Sequence, residues 1–593
     1  MISLRRILRG PEQSVQSFAV QAAEPVAMRE NRVFEVLTRH LLHRLVHNEA
    51  LGEEMPTRIA QIAYMIALPG ALFALYLFAP YHQPRAIGPR PFWLQLSDHY
   101  FYTVYAFVVM GIVIIFEWDL LFPDLLDVFV LSTLPIPKRK LLLARLLALT
   151  IFLALVLAGT NLLGAMFFPA VADLHGMWWR HVAAHVVAIT MAGTFAASFF
   201  VALQGGLLCF LGRRIFGWIS PLVQALSVVA LLTVLFLFPL FSNRLQALLE
   251  SGSVAVRLFP PFWFLGLYER LLWGAGALPV FVPLAKAALV GTAGVVAIAI
   301  ATYPLAYTRR VRQLVEGGAG LHHRSRIAHG LRKILHVTVL RSSQRRAIYH
   351  FTAQTLMRMQ RPRLYLTIYA GVGLSLMMSG ILLLRIDEGR ISFGISEWGV
   401  RSAVPVLAFL ISIGLRTALN APVGLHGSWV FRVIHGKPLR EHLKAVSLWA
   451  VLCVGAVTVA TVVVLHTVAP TPLRGLFPFL TQLLVAIGLS NLLVDVFLIR
   501  IHDIPFTAIR VPLTTDLPIS FVRYALVFPA FVAYVAGREL WIEASLIHMA
   551  VSAALFAIAC GVMRYLRRYY LDGRDTDPRS NEAIPFHCLG LQE

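Results

Sequence analysis

Charged residues are what this sequence lacks most. Asp, Glu, Lys and Arg make up 14% of its 593 residues, against about 25% in soluble domains. With 58% apolar residues and a mean hydropathy of +0.72, that shortage excludes an ordinary soluble enzyme. Cysteine is almost absent. Of the four, Cys209, Cys453 and Cys560 sit in apolar stretches and Cys588 in the tail, so no extracellular disulfide framework can be drawn. Acids are few beside bases, 30 against 52, giving a formal charge of +22 whose meaning depends on where the bases sit.

Catalytic motifs are missing as well. No Gly-x-x-x-x-Gly-Lys-Ser/Thr phosphate loop occurs, and the one Gly-Lys pair, Gly436-Lys437, runs into Pro438, which lacks the hydroxyl and the backbone donor that a phosphate needs. His-Glu-x-x-His and Gly-x-Ser-x-Gly are absent. The chain is therefore expected not to be an enzyme, to hydrolyse no ATP by that route, and to carry no catalytic residue, cofactor or metal. His40, His43 and His47 do share one helix face, the spacing a metal needs, but they read as the polar side of an interfacial helix.

What is present is apolar length. Twelve uncharged windows are each a candidate membrane span: Ile59–Ala79, Tyr100–Phe116, Leu146–Ala172, Val182–Gly212, Ile215–Asn243, Ala287–Thr308, Leu364–Leu384, Ser402–Leu415, Ala445–Leu473, Gly475–Val494, Tyr524–Gly537 and Ala544–Met563. Arg416 and Arg523 bound the two shortest, where a long side chain can snorkel to the headgroups. With no cleavable signal pattern, the first span is expected to act as an uncleaved anchor. A cytoplasmic N-terminus places 36 of the Lys and Arg residues in cytoplasmic segments and 10 outside, the bias that orients membrane proteins. The expected fold is an all-α polytopic membrane protein of about twelve transmembrane helices in two six-helix halves, with both termini cytoplasmic in a bacterial inner membrane.

Residues 1–58 form a cytoplasmic N-terminal segment, 59–308 the first six-span unit, 309–363 a basic linker, 364–564 the second unit and 565–593 a cytoplasmic tail. The linker holds thirteen Lys and Arg with one acid, Glu316. Its charge, with His322, His323, His329 and His336, suits the anionic inner leaflet at about 1 kcal/mol per cation. Nucleic acid is disfavoured, because aromatic residues for base stacking are few there. An amphipathic stretch precedes the first span of each half, Val33–Val46 and Arg346–Met357, as expected of a parallel internal repeat, so that the pore is expected to be either a pseudo-dimer in one chain or a dimer of two.

The halves also share a segment between their second and third spans. Pro123–Lys140 and Pro422–Arg440 each open on proline, carry an aromatic-Val pair (Phe129-Val130, Trp429-Val430) and close on proline with bases. Such segments read as short helices with one face for the membrane and one for a cytoplasmic partner. The docking candidates are Pro123, Asp124, Asp127, Phe129, Pro135, Pro137 and Arg139 in the first, and Trp429, Arg432, Lys437, Pro438 and Arg440 in the second. Within the spans, Asn161, Gln204, Gln224, Gln482 and Asn491 are candidates to line a pathway. Asp495 is expected to pair locally with Arg500, which weakens an ion-coupled reading.

The stretches Phe122–Asp127 and Leu134–Leu141, with Phe259–Phe264 before the sixth span, resemble a permease of the exporter-type ATP-binding-cassette family. The resemblance spans most of residues 30–308 and fits 364–564 less closely, because only about Arg538–Glu543 joins the last two spans. It implies an amphipathic helix ahead of six spans, a coupling helix between spans two and three, a re-entrant hairpin before span six, and a separate ATPase subunit as partner. The competing readings are a secondary carrier of six-plus-six topology and a non-transporting scaffold. Against the carrier, Glu117–Lys140 contains no glycine, whereas the major facilitator class has a glycine-bearing loop after its second span.

Overall fold

The computed structural model describes residues 26–46, 55–82, 90–118, 120–131, 134–172, 176–316, 335–336, 340–387, 390–420, 440–468, 473–499, 505–506 and 516–574. The chain is an all-α polytopic membrane protein. Ten helices among the described residues are long and apolar enough to cross a membrane, against the twelve windows expected. The other two windows, Ile59–Ala79 and Tyr524–Gly537, also lie on long helices, some of whose side chains fall outside the described residues. Contact clustering divides the chain into two compact units. The first is Met1–Ser227, Phe238–Gly320 and Ile386–Ser392, and the second Val228–Leu237, Leu321–Arg385 and Phe393–Glu593.

The first unit opens with helix α1 (Val26–Val46), which buries Leu37, Leu41 and Leu42 at helical spacing and leaves Val33 and Val36 exposed. Then follow α2 (Met55–His82), α3 (Phe92–Phe116), the short α4 (Leu125–Leu131), α5 (Lys138–Ala172), α6 (Trp178–Phe210) and α7 (Arg213–Phe236), whose residues from Val228 on belong to the second unit. Pro69 inside α2 removes one backbone donor. The Tyr105 and Tyr102 hydroxyls of α3 donate to the carbonyls of Ile66 and Gly70 at 2.7 and 2.9 Å, supplying partners that hydrocarbon cannot.

Four short helices come next, α8 (Phe238–Ser242), α9 (Leu245–Glu250), α10 (Val254–Leu258) and α11 (Pro260–Trp273), before the long α12 (Phe281–Val315). Proline opens α11 where a helix needs no N–H. Its Phe264 and Leu265 are fully buried, and α11 packs on α3, α6 and α12. At Gly266 a Cβ would come within 2.6 Å of Leu284 Cβ, so glycine is what lets α11 lie directly on α12.

The second unit continues with α13 (Ser343–Arg358), α14 (Gln360–Ile381), the hairpin β1 (Leu382–Asp387) and β2 (Arg390–Ile395), α15 (Glu397–Asn420), α16 (Arg440–Val468), α17 (Leu476–Phe497), α18 (Asp516–Glu543) and α19 (Leu546–Arg574). Ser342 caps α13 by accepting from the Arg345 N–H at 3.2 Å, and Ile348, Thr352 and Leu356 form its buried stripe. Helix α15 is the central one, packed against α14, α16, α17 and α18. Phe409 on it meets the rings of Phe497, Phe528 and Phe531 at 5.2 to 5.3 Å. Helix α18 runs on through Glu543, so Ala544 and Ser545 alone join it to α19, and the expected Arg538–Glu543 connection is helix instead. Arg416, expected to snorkel, donates to the Tyr524 hydroxyl at 2.9 Å.

Candidate functional site

Helix α4 exists because two aspartates cap it. Asp124 accepts from the Asp127 N–H at 2.7 Å, and Asp127 reaches back to the Asp124 N–H at 3.4 Å. This is a capping box with the shorter acid in the glutamate position. The same carboxylates bind outward. Arg44 of α1 pairs with Asp124 at 2.9 Å and also with Asp127, and Arg145 of α5 holds Asp127 at 2.9 Å. Burial alone would raise the Asp124 carboxyl, but the Asp127 N–H and the Arg44 guanidinium outweigh it and hold the group below its ordinary value.

The turn that leads into α4 is fastened from every side. A helix end leaves carbonyls without partners, and at the end of α3 these are taken up by side chains. Gln224 donates to Ile115 O at 2.9 Å, Gln204 to Trp118 O, and Tyr303 to Leu121 O at 2.7 Å. Arg145 donates to Leu120 O and Phe122 O at 2.8 and 2.9 Å. The Trp118 indole in turn donates to Ser220 Oγ at 2.9 Å. Helices α1, α5, α6, α7 and α12 all contribute a side chain to this knot. What it presents outward is apolar: Phe129 is 60% and Val130 59% exposed, and Pro135, Pro137 and Arg139 are exposed beside them while Pro123 is buried.

The structure shows what holds the residues singled out in the sequence. Asp124 and Asp127, read as charges for a partner, are engaged by Arg44 and Arg145. Gln204 and Gln224, read as pathway residues, serve the carbonyls at the end of α3. Asn161 donates to Leu157 O within its own helix at 2.9 Å. Asn491 donates to Ile487 O and accepts from Arg564 at 3.3 Å. Gln482 is buried, with its amide nitrogen unpartnered. Asp495 is held by Arg564 at 3.0 Å, 69 residues away in sequence; Arg500, its expected local partner, lies outside the described residues. Trp429, Arg432, Lys437, Pro438 and His47 also lie outside them, as does the side chain of Arg440, whose backbone opens α16. His40 is exposed on α1, and no group of three or more metal-binding side chains occurs among the described residues.

The sequence reading missed two buried polar clusters. In the first unit His99 of α3 stacks on Tyr268 of α11 at 3.4 Å between ring centroids. His185 of α6 lies 5.1 Å from His99, and His181 shares a hydrogen bond with the Tyr268 hydroxyl. His99 and His185 are wholly buried with all four ring nitrogens unpartnered. Beside Tyr268, Glu269 is 3% exposed, and burial pushes its carboxyl up to about 8. In the second unit Arg401 of α15 binds Glu543 through two contacts of 2.7 and 3.0 Å and Glu397 at 3.1 Å. Glu539 stands 4.0 Å from Arg401, fully buried, with neither oxygen hydrogen-bonded. The His181, His185 spacing of one helical turn was the one sequence sign of the first cluster. No protein-family model, curated protein or solved structure matches the chain.

Proposed function

We propose that this chain is the membrane-spanning component of an exporter-type transporter in a bacterial inner membrane, with both termini cytoplasmic, driven by a separate ATPase that docks on α4. The observation that carries this reading is the knot around residues 115–127. A seven-residue helix held by Arg44 of α1 and Arg145 of α5, behind a turn that side chains of α5, α6, α7 and α12 fasten, with Phe129 and Val130 turned outward, can pass a push at its surface to all of them at once. Exposed aromatic anchors of this kind dominate binding energies. A driving partner must contact two states of the membrane helices unequally, because equal contact shifts nothing.

Co-purification from native membranes tests the reading. The expected result is an ATPase that accompanies the native chain and is released, or uncoupled from transport, by Phe129→Ala. Retention of binding and transport by that variant, or an absence of any ATPase, would overturn it. A second reading, an ion-coupled carrier, draws on Glu539, an ionisable group wholly buried among helices. Transport that persists without nucleotide and is lost in Glu539→Gln would favour the carrier.

A further inference from the structure

A cavity of about 30 Å³ opens beside the histidine cluster of the first unit, lined by Tyr81, Phe168, His181, Tyr268, Glu269 and Trp273 among others. Its walls combine aromatic rings with one carboxylate. Buried carboxylates in proteins are almost always paired or hydrogen-bonded. Among the described residues no cation pairs with Glu269, and its Oε2 has no hydrogen-bond partner. The neighbouring base is already engaged: Arg90 grips Asp98 through two contacts of 2.6 and 2.7 Å, and Tyr81 donates to the same carboxylate at 3.0 Å.

We propose that this cavity binds the head of a protonated amine, its ammonium group against Glu269 and the surrounding ring faces. The molecule itself shows a cation on one of these rings, since the Arg90 guanidinium lies 5.2 Å from the Tyr81 centroid. Ring faces attract cations within about 6 Å. An anion would meet the Glu269 carboxylate, and a divalent metal would lack a third ligand. The volume holds roughly one small polar group, so the cavity fits an ammonium head while the rest of the ligand extends through the open side.

The titratable groups that line the cavity with Glu269 and Tyr268 are Tyr81 of α2 and His181 of α6; behind them lie His99 of α3 on the Tyr268 ring, His185 of α6 beside His99, and Asp98 of α3 held by Tyr81 and by Arg90 just ahead of α3. Of these Asp98 alone is an acid, and it is taken. An amine entering the cavity therefore finds its charge partner in Glu269, and where burial keeps that carboxyl protonated, binding of the ammonium releases the carboxyl proton to solvent.

Calorimetric titration of the purified full chain with butylammonium, with butanol as the neutral match, tests the proposal without nucleotide or any partner protein. Its outcome is thus separate from that of the ATPase test. Saturable butylammonium binding is expected, tighter at higher pH, with none for butanol. Glu269→Gln should weaken it roughly ten-fold or more, the loss of one charge-assisted contact, and remove the pH dependence. Trp273→Ala, at the half-exposed rim, should weaken it several-fold and serves where the Glu269 variant fails to fold. Equal affinity in native and both variants, equal binding of butanol, or no binding by the native chain would overturn the proposal.

Discussion

Asp127 ties a buried guanidinium to a surface helix, and its replacement separates stability from docking. Its side chain is 6% exposed and that of Arg145 9%, and removing one partner of such a pair costs about 3–5 kcal/mol. Asp127→Ala should therefore lower the thermal midpoint of the detergent-purified chain sharply. Phe129→Ala, at an exposed position, should leave it within about 0.5 kcal/mol. Two other acids should respond to pH in opposite senses. Asp124 is held below its ordinary value, so its contribution is full at neutral pH and lost as pH falls toward the folded value. Glu269, raised from 4.5 to about 8, favours the protonated fold, so its contribution is full below 4.5 and lost as pH rises through 8. In melts at acid and alkaline pH, Asp124→Asn should cost stability at neutral pH and little in acid. Glu269→Gln should stabilise the chain at high pH alone.

Helices in this molecule approach closely where glycine permits it. Gly380 and Gly399 close the ends of α14 and α15 around the hairpin, and a Cβ at Gly399 would stand 2.1 Å from Gly380 O, against backbone that cannot swing aside. Gly399→Ala should cost about 1–3 kcal/mol or more. Gly206→Ala, with nothing within 4 Å, should stabilise α6 by up to about 1 kcal/mol. Paired thermal melts check both. The elements themselves were legible, because a run of about twenty apolar residues has few other uses. Each of the twelve windows falls largely on a helix, although Leu364–Leu384 ends in strand β1, Ile215–Asn243 covers α7 and α8, and Ala445–Leu473 runs past the described end of α16; α1 and α13 lie where amphipathic spacing predicts them. Their partners were not legible. Arg44 stands 80 residues from Asp124, and His99, His181 and Tyr268 lie on three helices, so no local spacing connects them. The bonds of Gln204 and Gln224 to the end of α3 were not legible either, because sequence does not reveal which carbonyls a helix end leaves unpaired.

For the whole molecule, the Lys and Arg bias predicts a direction. Single cysteines placed in a cysteine-free variant, within the basic segment Thr308–Arg363 and within Phe241–Pro283, should label differently in intact cells. The second should react with an impermeant reagent from outside and the first only after permeabilisation. Outside labelling of the first would reverse the orientation and remove α4 from the reach of any cytoplasmic ATPase. Each unit also carries its own buried polar cluster, around Tyr268 in one and Arg401 in the other.

The Arg401 cluster also has a history in time. Glu543 follows Arg401 by 142 residues, and at about 5–20 residues per second its synthesis comes on the order of ten seconds later. Through that interval α15 is already made and bears a guanidinium that the finished bundle leaves 4% exposed, a costly charge to commit to lipid alone. Glu397, one turn earlier on the same helix and still 47% exposed at the end, is on hand throughout as a provisional counter-ion. The three carboxylates thus divide by birth order: Glu397 is made before Arg401, and the two on α18 only after it.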